Sequence, residues 1–269
     1  YYYQTFVDMT PIIESKYVTN IHISSTHFGY ETENNKPYIH INDVTPDNKV
    51  LDKMWNQAEE CSKTKKIILM IGGAGGAFQV LFNNFETFYP KLYYTLKQRP
   101  FISGVDLDVE ENVNIEDIKM LINKIKKDFG NDFIISMAPV QYAMENNSPG
   151  LGGFSYQELY NSKEGKLIDY FNVQAYSDYS FNSYEKIINN GYPPNKIVFG
   201  MLSSEFNKDT FTNALETIKD IKNKYNDFGG VFNWEYFNSP PNPSNPIIWS
   251  NEIGEVLVDN YYFFKWLGF

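Results

Sequence analysis

Three acidic side chains alternate with apolar ones between Gly104 and Glu110, where the sequence is Gly-Val-Asp-Leu-Asp-Val-Glu. Successive side chains of a β-strand point to opposite faces, so Asp106, Asp108 and Glu110 would share one face. Carboxyl groups this close together shift one another's pKa values, which suits them to donating and accepting protons in a reaction. Because the other face is apolar, the strand is not an exposed edge. The segment therefore predicts an acid–base site on a buried strand, with Glu110 nearest its carboxyl end.

A buried strand needs a sheet around it, and the rest of the chain alternates between strand-like and helix-like segments. Eight β-rich segments are predicted as strands, at residues 2–7, 20–25, 66–73, 102–110, 133–139, 170–176, 196–202 and 229–235. Four amphipathic segments between them predict helices, at residues 50–63, 78–98, 114–129 and 209–225. The third helix has the clearest ends, because Asn114 is suited to cap its start and Gly130 follows its last turn.

Strands that alternate with helices are typical of a parallel sheet. Eight of them predict an α/β fold, a closed (β/α)8 TIM barrel, whose active sites lie at the carboxyl ends of the strands. An open, doubly wound sheet is the alternative architecture for the same order of elements. No linker divides the sequence, so a single catalytic barrel domain is predicted over residues 1–269. The Pro- and Asn-rich segment 238–246 is predicted as a loop near the end of the barrel.

The charge balance limits the partners of this chain. It has 23 basic and 33 acidic residues, a net charge of −10. Nucleic acids and anionic membranes are bound through basic residues, so neither partner is expected. No apolar run approaches the ~20 residues of a membrane span, and no signal peptide is visible. The single cysteine, Cys61, has no partner for a disulfide within the chain and is expected to be buried on a helix.

Metal and cofactor chemistry find little support in the sequence. His22, His27 and His40 show no metal-ligand spacing with one another or with acidic residues, so no metal site is predicted. The glycine-rich segment 72–76 lacks the Gly-Lys-Ser/Thr ending of a P-loop and the spacing of a dinucleotide-binding motif. It predicts a tight turn after a strand instead. The chemistry is therefore expected to need no cofactor.

The acidic strand is similar to the DGxDxDxE signature of glycoside hydrolase family 18, which contains chitinases and endo-β-N-acetylglucosaminidases. Four other segments resemble motifs of that family in the same order along the chain. They are ILMIGGAGG (68–76), SMAPVQY (136–142), FNVQAYS (171–177) and GGVFNWEY (229–236). The resemblance covers nearly the whole chain. It implies a retaining endo-glycosidase that cleaves a β-1,4 bond next to N-acetylglucosamine in an oligo- or polysaccharide.

The resemblance also implies a role for each matching residue. Glu110 would protonate the leaving oxygen and then act as the base for the incoming water. In this family the substrate's own 2-acetamido group replaces the enzyme nucleophile. Asp108 would orient that group, and the deeper Asp106 would share a proton with Asp108. Tyr176 would donate a hydrogen bond to the acetamido oxygen, and Trp234 would stack beneath the sugar ring.

Two further residues are candidates for binding the substrate. Gln174 lies on the same strand face as Tyr176, and Met137 belongs to the Ala-Pro motif of the fifth predicted strand. For Met137 a core position is the competing interpretation. The alternative interpretation of Tyr176 is a residue that packs at the barrel mouth. The alternative interpretation of Trp234 is an ordinary core residue.

Two positions depart from the family pattern. Ser103 stands where the family's first aspartate is expected, and Ser177 follows the tyrosine where many members carry Asp or Asn. The departure at Ser103 affects the fine tuning of the acidic residues more than the activity itself. The departure at Ser177 leaves some contacts to the sugar unassigned. Glu111 and Glu235 are predicted to take no part in the reaction, because their side chains point to the opposite faces of their strands.

A chitinase-like lectin or inhibitor on the same barrel is the alternative function. Such proteins typically lack the proton donor, so the presence of Glu110 favours an enzyme. Among substrates, chitin and chitooligosaccharides are preferred, while the N-glycan core, peptidoglycan and the choice between endo and exo cleavage stay open. The family resemblance favours an extracellular location, and a monomer is expected.

Overall fold

The computed structural model describes residues 1–266, with side chains as far as residue 258. Its strands are β1 (Tyr2–Tyr3), β2 (Asn20–Tyr30), β3 (Pro37–Ile41), β4 (Lys66–Gly72), β5 (Ile102–Asp108), β6 (Ile134–Met137), β7 (Tyr170–Gln174), β8 (Ile197–Leu202) and β9 (Gly230–Trp234). Its helices are α1 (Thr10–Glu14), α2 (Asp52–Ser62), α3 (Phe78–Asn83), α4 (Phe85–Lys97), α5 (Ile115–Phe129), α6 (Gln141–Glu145), α7 (Tyr156–Asn161), α8 (Phe181–Asn189), α9 (Lys208–Lys224) and α10 (Ile248–Trp266).

The strands form one sheet that curves into a barrel. Eight of them are parallel and neighbour one another in chain order, β1-β2-β4-β5-β6-β7-β8-β9. The remaining strand, β3, pairs antiparallel with the second half of β2. A doubly wound sheet would reverse its strand order at a switch point, so that alternative is wrong. The predicted (β/α)8 barrel is confirmed.

Apolar side chains divide into two layers on either side of the sheet. Inside the barrel, Tyr2, Met70 and Phe232 form a small cluster, which we call the inner layer. Between the sheet and the helices lies a much larger cluster, the outer layer, which includes Leu107 of β5 and Ile122 of α5. Strand alternation sends neighbouring residues to different layers. The barrel interior is thus a packed core, with room for polar groups only where the strands supply them.

Helix α5 has the ends that the sequence predicts. The Asn114 side chain accepts a hydrogen bond from the backbone N–H of Glu116 at 3.0 Å, and Gly130 follows the helix with a φ of 93°. Glycine reaches this positive φ without the steric penalty of other residues. The apolar face of the helix packs into the outer layer through Ile118, Leu121, Ile122 and Ile125.

Three predicted elements differ from the structure by more than a shift of their ends by one to three residues. The predicted helix 78–98 is two helices, because Asn84 leaves the helical region (φ −142°, ψ 52°) and its carbonyl starts the second one. The predicted strand 20–25 continues to Tyr30, where it gains an antiparallel partner in β3. The predicted strand 2–7 shrinks to two residues. For the two strands, the alternation of residues is the same at either length, so only tertiary pairing determines where they end.

Two predictions from composition can be compared with the fold. Cys61 is buried on α2, as predicted. Within residues 1–266, no helix combines the length and the apolar character needed to cross a bilayer.

The barrel closes at the seam between β1 and β9 through a side chain. Within the described residues, no ladder of backbone hydrogen bonds joins these two strands. Instead the Glu235 carboxylate accepts bonds from the backbone N–H groups of Gln4 (3.0 Å) and Thr5 (2.7 Å) and from the Thr5 hydroxyl (2.9 Å). Glu235 is buried, so water competes little for these bonds. It is a structural residue of the seam.

Replacing Glu235 by Ala is expected to lower the free energy of unfolding by about 3 kcal/mol, because three donors lose a charged acceptor. For a chain of this size, that corresponds to a Tm lower by roughly 6–12 °C. Urea and thermal unfolding followed by circular dichroism measure both quantities. The exposed Glu33→Ala is the matched control and should unfold like the unchanged protein. Equal midpoints for the two variants would show that the seam does not depend on Glu235.

Candidate active site

Strand β5 carries the acidic residues to the carboxyl end of the barrel. Asp106 is fully buried and Asp108 nearly so, while Glu110 lies just beyond the strand and is partly exposed. Val105 and Leu107 point the other way, into the outer layer. The acids therefore line the inside of the barrel, and their exposure increases towards its mouth.

Asp106 is held at the bottom of this row by hydrogen-bond donors from three other strands, and a histidine of a fourth strand lies near it. Its Oδ2 accepts a bond from the Tyr2 hydroxyl at 2.6 Å. Its Oδ1 accepts bonds from the Ser136 hydroxyl at 2.5 Å and from Nδ2 of Asn172 at 3.1 Å. Nδ1 of His22 lies 3.7 Å from Oδ2. The sequence analysis missed these four residues as part of the site, although each has the strand parity of an inward-facing side chain.

The two buried aspartates differ in charge. Burial alone would raise the pKa of Asp106, but contacts from His22, Ser136 and Tyr2 bring it below its ordinary value. For Asp108, burial comes first, and the negative charges of Glu110 and Asp106 add to it, so its pKa is well above the ordinary value. Asp106 is thus the ionised member and Asp108 the protonated one. The expectation that the two carboxyls share one proton stays a prediction, which this difference in pKa does not contradict.

Asp108 is fixed from two sides by β7 and by the turn after β4. Nε2 of Gln174 donates to its Oδ1 at 3.1 Å and to the carbonyl of Ala138 at 2.8 Å. The N–H of Gly73 donates to the Asp108 carbonyl at 2.9 Å. A Cβ on Gly73 would lie 2.8 Å from Cε of Met70, and its φ of 78° also disfavours other residues. The glycine turn is therefore a close wall of the site.

A cavity of about 180 Å³ opens at this end of the barrel. It is lined by Tyr2, Gly73, Ala74, Asp108, Glu110, Ala138, Gln174, Tyr176, Leu202, Phe232 and Trp234. The structure thus brings five predicted residues to one cavity: Glu110, Asp108, Tyr176, Trp234 and Gln174. Asp106 lies beneath it.

Two partly exposed groups of this cavity are suited to acting as donors, Glu110 of a proton and Tyr176 of a hydrogen bond. Burial raises the pKa of Glu110, and a hydrogen bond with Gln174 opposes that rise only in part. Burial, followed by the charges of Asp108 and Glu110, raises the pKa of the Tyr176 hydroxyl well above its ordinary value. Glu110 therefore keeps its proton to a higher pH than an exposed glutamate, and Tyr176 stays a neutral hydrogen-bond donor.

The aromatic side of the cavity is a continuous set of rings. Trp234 is partly exposed and packs on Tyr2, with ring centroids 5.3 Å apart at an angle of 48°. Tyr2 in turn meets Phe232 edge to face at 5.0 Å. The partly exposed Tyr176 packs against the same inner layer. An apolar wall opposite a row of carboxyls suits a ligand that has both apolar faces and hydroxyl or amide groups.

Met137 does not reach this cavity, which corrects its prediction as a substrate-binding residue. Its side chain is fully buried in the outer layer, whereas its neighbour Ser136 points inward to Asp106. Strand alternation explains the difference, because adjacent residues of β6 face opposite sides of the sheet. Ala138, one residue further on, lines the cavity instead.

Glu111 and Ser177 hold the loops at the rim. The Glu111 carboxylate accepts bonds from the backbone N–H groups of Ala77 and Phe78 at the start of α3. The backbone N–H of Ser177 donates to Oε2 of Glu205 at 2.8 Å, and its hydroxyl donates to Oε1 at 3.2 Å. The family departure at Ser177 thus ties the loop after β7 to the loop after β8.

Among the side chains that the structure describes, those of residues 1–258, no group of three His, Cys, Asp or Glu could hold a metal ion. What the arrangement supplies is a row of carboxyls with different proton affinities, a tyrosine hydroxyl and an aromatic floor. These groups can protonate a leaving oxygen and stabilise a positive charge that develops nearby.

Comparisons with known proteins give matches among solved structures. No family model and no curated protein matches the chain. It is similar to a fungal endo-β-N-acetylglucosaminidase of glycosyl hydrolase family 18, at 31% identity over 95% of this chain and 96% of that one, with a TM-score of 0.85. A chitinase from Aspergillus fumigatus is 28% identical over 93% and 96%, with a TM-score of 0.79. A chitinase-like agglutinin from Robinia pseudoacacia shares the fold alone, at 13% identity over 96% and 98%, with a TM-score of 0.58.

Proposed function

This chain belongs to glycoside hydrolase family 18, and we propose that it is a retaining endo-glycosidase. Its substrate is a β-1,4-linked chain containing N-acetylglucosamine, with chitin or chitooligosaccharides preferred. The endo-β-N-acetylglucosaminidase and the chitinase to which it is similar both support a hydrolase acting on such sugars. The observation that carries the proposal is a partly exposed Glu110 that shares one cavity with Asp108 and Tyr176.

Glu110 is the general acid of the proposed reaction. It lies at the open end of the acidic row, where the bond to be cleaved can reach it. Its raised pKa, caused by burial, keeps it protonated when substrate binds. Once it has given its proton to the leaving oxygen, the same carboxylate takes a proton from the incoming water.

The nucleophile is the 2-acetamido oxygen of the sugar in the cavity. Tyr176 donates a hydrogen bond to that oxygen and holds it below the anomeric carbon, which is the near-attack geometry that the reaction needs. Asp108 accepts the acetamido N–H and stabilises the positive oxazolinium ion. The proton of Asp108 passes inward to Asp106 as that charge develops, which leaves Asp108 negative beside the cation.

Trp234 and Gln174 bind the sugar during this step. The partly exposed Trp234 offers the flat, apolar surface on which one face of a sugar ring stacks. Gln174 already donates to Asp108, so it fixes the direction in which that carboxyl faces the acetamido group. Both residues are expected to affect KM as well as kcat, since they contact the substrate before and during the reaction.

The alternative function is a chitinase-like lectin or inhibitor that binds the same sugars without cleaving them. The similarity to the agglutinin extends only to the fold, and at 13% identity it gives no argument about activity. Glu110 favours the enzyme, because a lectin has no need of a proton donor in its binding cavity. We propose an extracellular monomer as the working form, on the strength of the family alone.

The proposal predicts that the protein hydrolyses a fluorogenic chitobioside and that NMR of the first product from a chitooligosaccharide shows the β-anomer. Two successive displacements at the anomeric carbon retain its configuration, whereas a direct attack by water inverts it. Binding without turnover would establish the lectin instead. An α-anomer at the earliest time would exclude the acetamido nucleophile. Parallel product analysis on chitooligosaccharides and on a high-mannose glycoprotein identifies the preferred substrate.

A further inference from the structure

A second cavity lies at the opposite end of the barrel from Glu110. Its volume is about 310 Å³, and it reaches the inward-facing residues Asn20, His22, Tyr170 and Asn172. Asn20 and Tyr170 are the first residues of β2 and β7, so this cavity is at the amino ends of the strands. We call it the rear cavity.

A chain of polar groups runs from the rear cavity to the acidic row. Nδ2 of Asn20 donates to the Tyr170 hydroxyl at 2.8 Å. That hydroxyl lies 3.3 Å from Nε2 of His22, and Nδ1 of His22 lies 3.7 Å from Oδ2 of Asp106. Because the Tyr170 oxygen accepts from Asn20, its own proton can be donated to Nε2. Nε2 is an acceptor only in the tautomer that carries its proton on Nδ1.

Asn20, Tyr170 and His22 have no assigned task in the proposed reaction, and of the three it is His22 that lies next to the acidic row. It is 3% exposed, and its Nδ1 has no hydrogen-bond partner within normal distance. Burial lowers its pKa, despite the opposing effect of Asp106, so the ring is neutral. The Tyr2 ring packs on it with centroids 4.7 Å apart. The ring is therefore held with Nδ1 directed at a carboxylate.

We infer that His22 is a positioning residue: with Tyr170 and Asn20 behind it, its Nδ1–H faces Asp106 and keeps that carboxyl ionised before the reaction, so that it can take up the proton of Asp108. The inference rests on the proposed function, since it assigns the reason why the proton of the pair is on Asp108. It adds a group outside the substrate cavity to those that set the reaction's pH dependence. The titratable groups facing His22 are Tyr2, Asp106, Tyr170, Asp169 across the rear cavity, and the amino group of Tyr1.

Two substitutions at this position separate a specific hydrogen bond from mere packing. In His22→Asn, the side-chain amide occupies the place of Nδ1 and can still donate to Asp106. In His22→Gln, the amide lies near the place of Nε2, and no donor faces Asp106. Loss of a donor raises the pKa of a carboxyl, so the acid limb of the kcat profile should move to higher pH by about one unit in His22→Gln. His22→Asn should keep the original limb.

His40→Gln is the matched control for these profiles. His40 stacks on Tyr38 in the β2–β3 hairpin, with ring centroids 3.8 Å apart, and has no contact with the acidic row. Its profile should coincide with that of the unchanged protein. If His22→Gln and His22→Asn show the same acid limb, His22 acts by packing alone and the inference is wrong.

A second measurement, of the tautomer of His22, does not depend on enzyme activity. The chain has three histidines, so ¹H–¹⁵N NMR of the imidazole rings is assigned by the signal that disappears in His22→Asn. At neutral pH we expect Nδ1 of His22 protonated and Nε2 unprotonated, and Tyr170→Phe should shift the Nε2 signal. A proton on Nε2 instead would overturn the inference. An inactive protein with the expected tautomer would contradict the proposed function while supporting the arrangement around His22.

Discussion

Glu110→Gln is expected to lower kcat on chitooligosaccharides by ~10²–10⁴-fold, the usual contribution of a general acid. Glutamine keeps the size and the hydrogen-bonding oxygen of glutamate but has no proton to give. The sugar leaving group is a poor one, so it departs only when its oxygen is protonated. Steady-state kinetics with the purified variant measure the loss, and an unchanged Tm shows that the fold is intact.

Substrates with different leaving groups distinguish the role of Glu110 as general acid from a structural role. A dinitrophenyl glycoside departs without protonation, so its release should suffer much less in Glu110→Gln than cleavage of a chitooligosaccharide does. Glu111→Gln is the matched control, because Glu111 is the next residue and its oxygen can still accept the bonds from Ala77 and Phe78. That variant should stay close to full activity. Turnover by Glu110→Gln near the original rate would mean that another group supplies the proton.

A substrate with a free amine in place of the 2-acetamido group should not be cleaved at all. Asp108 at the end of β5 and Glu110 just beyond it belong to one row, so both carboxyls reach the sugar from one side. Among the residues that line the cavity, no other carboxylate faces them to attack the anomeric carbon. Without the acetamido oxygen, the reaction lacks its nucleophile, and Tyr176 has no oxygen to hold. The loss of cleavage therefore arises in the chemical step of the reaction.

Binding of the free-amine substrate must be measured in the same experiment, because a substrate that fails to bind would also not be cleaved. The chain carries a net charge of −10, and the cavity contains two carboxyls, so an ammonium group should be attracted rather than repelled. Partly deacetylated chitooligosaccharides should therefore compete with the acetylated substrate while staying intact. A sugar thiazoline, which resembles the cyclic intermediate, should inhibit far more tightly than either. Measurable cleavage next to a free amine would refute the acetamido mechanism.

The sequence predicts most of the acidic row because its signal is local. Alternation along β5 is enough to place Asp106 and Asp108 inside the barrel, and the same rule places Gln174 and Asn172 there. Applied to β6, it would also have shown that Met137 faces outward, since Ser136 faces inward.

The remaining features depend on contacts between distant parts of the chain. His22 and Tyr2 reach Asp106 only after β1, β2 and β5 have come together in the barrel. Glu235 closes the seam through the backbone of residues far away in sequence, so no local pattern marks it. The charge difference between Asp106 and Asp108 likewise arises from donors on other strands. These are effects of tertiary structure that a single sequence does not encode in its periodicity.

The two apolar layers of the barrel allow stability and chemistry to evolve separately. Leu107 and its neighbours in the outer layer touch helices, while Asp106 and Asp108 on the same strand touch only the interior. Exchanges of one aliphatic side chain for another of similar volume in the outer layer alter mainly the free energy of unfolding. The interior has no such freedom, because Tyr2 packs in the inner layer and also bonds Asp106. A library confined to the outer layer should therefore yield heat-resistant descendants whose substrate range is that of the parent.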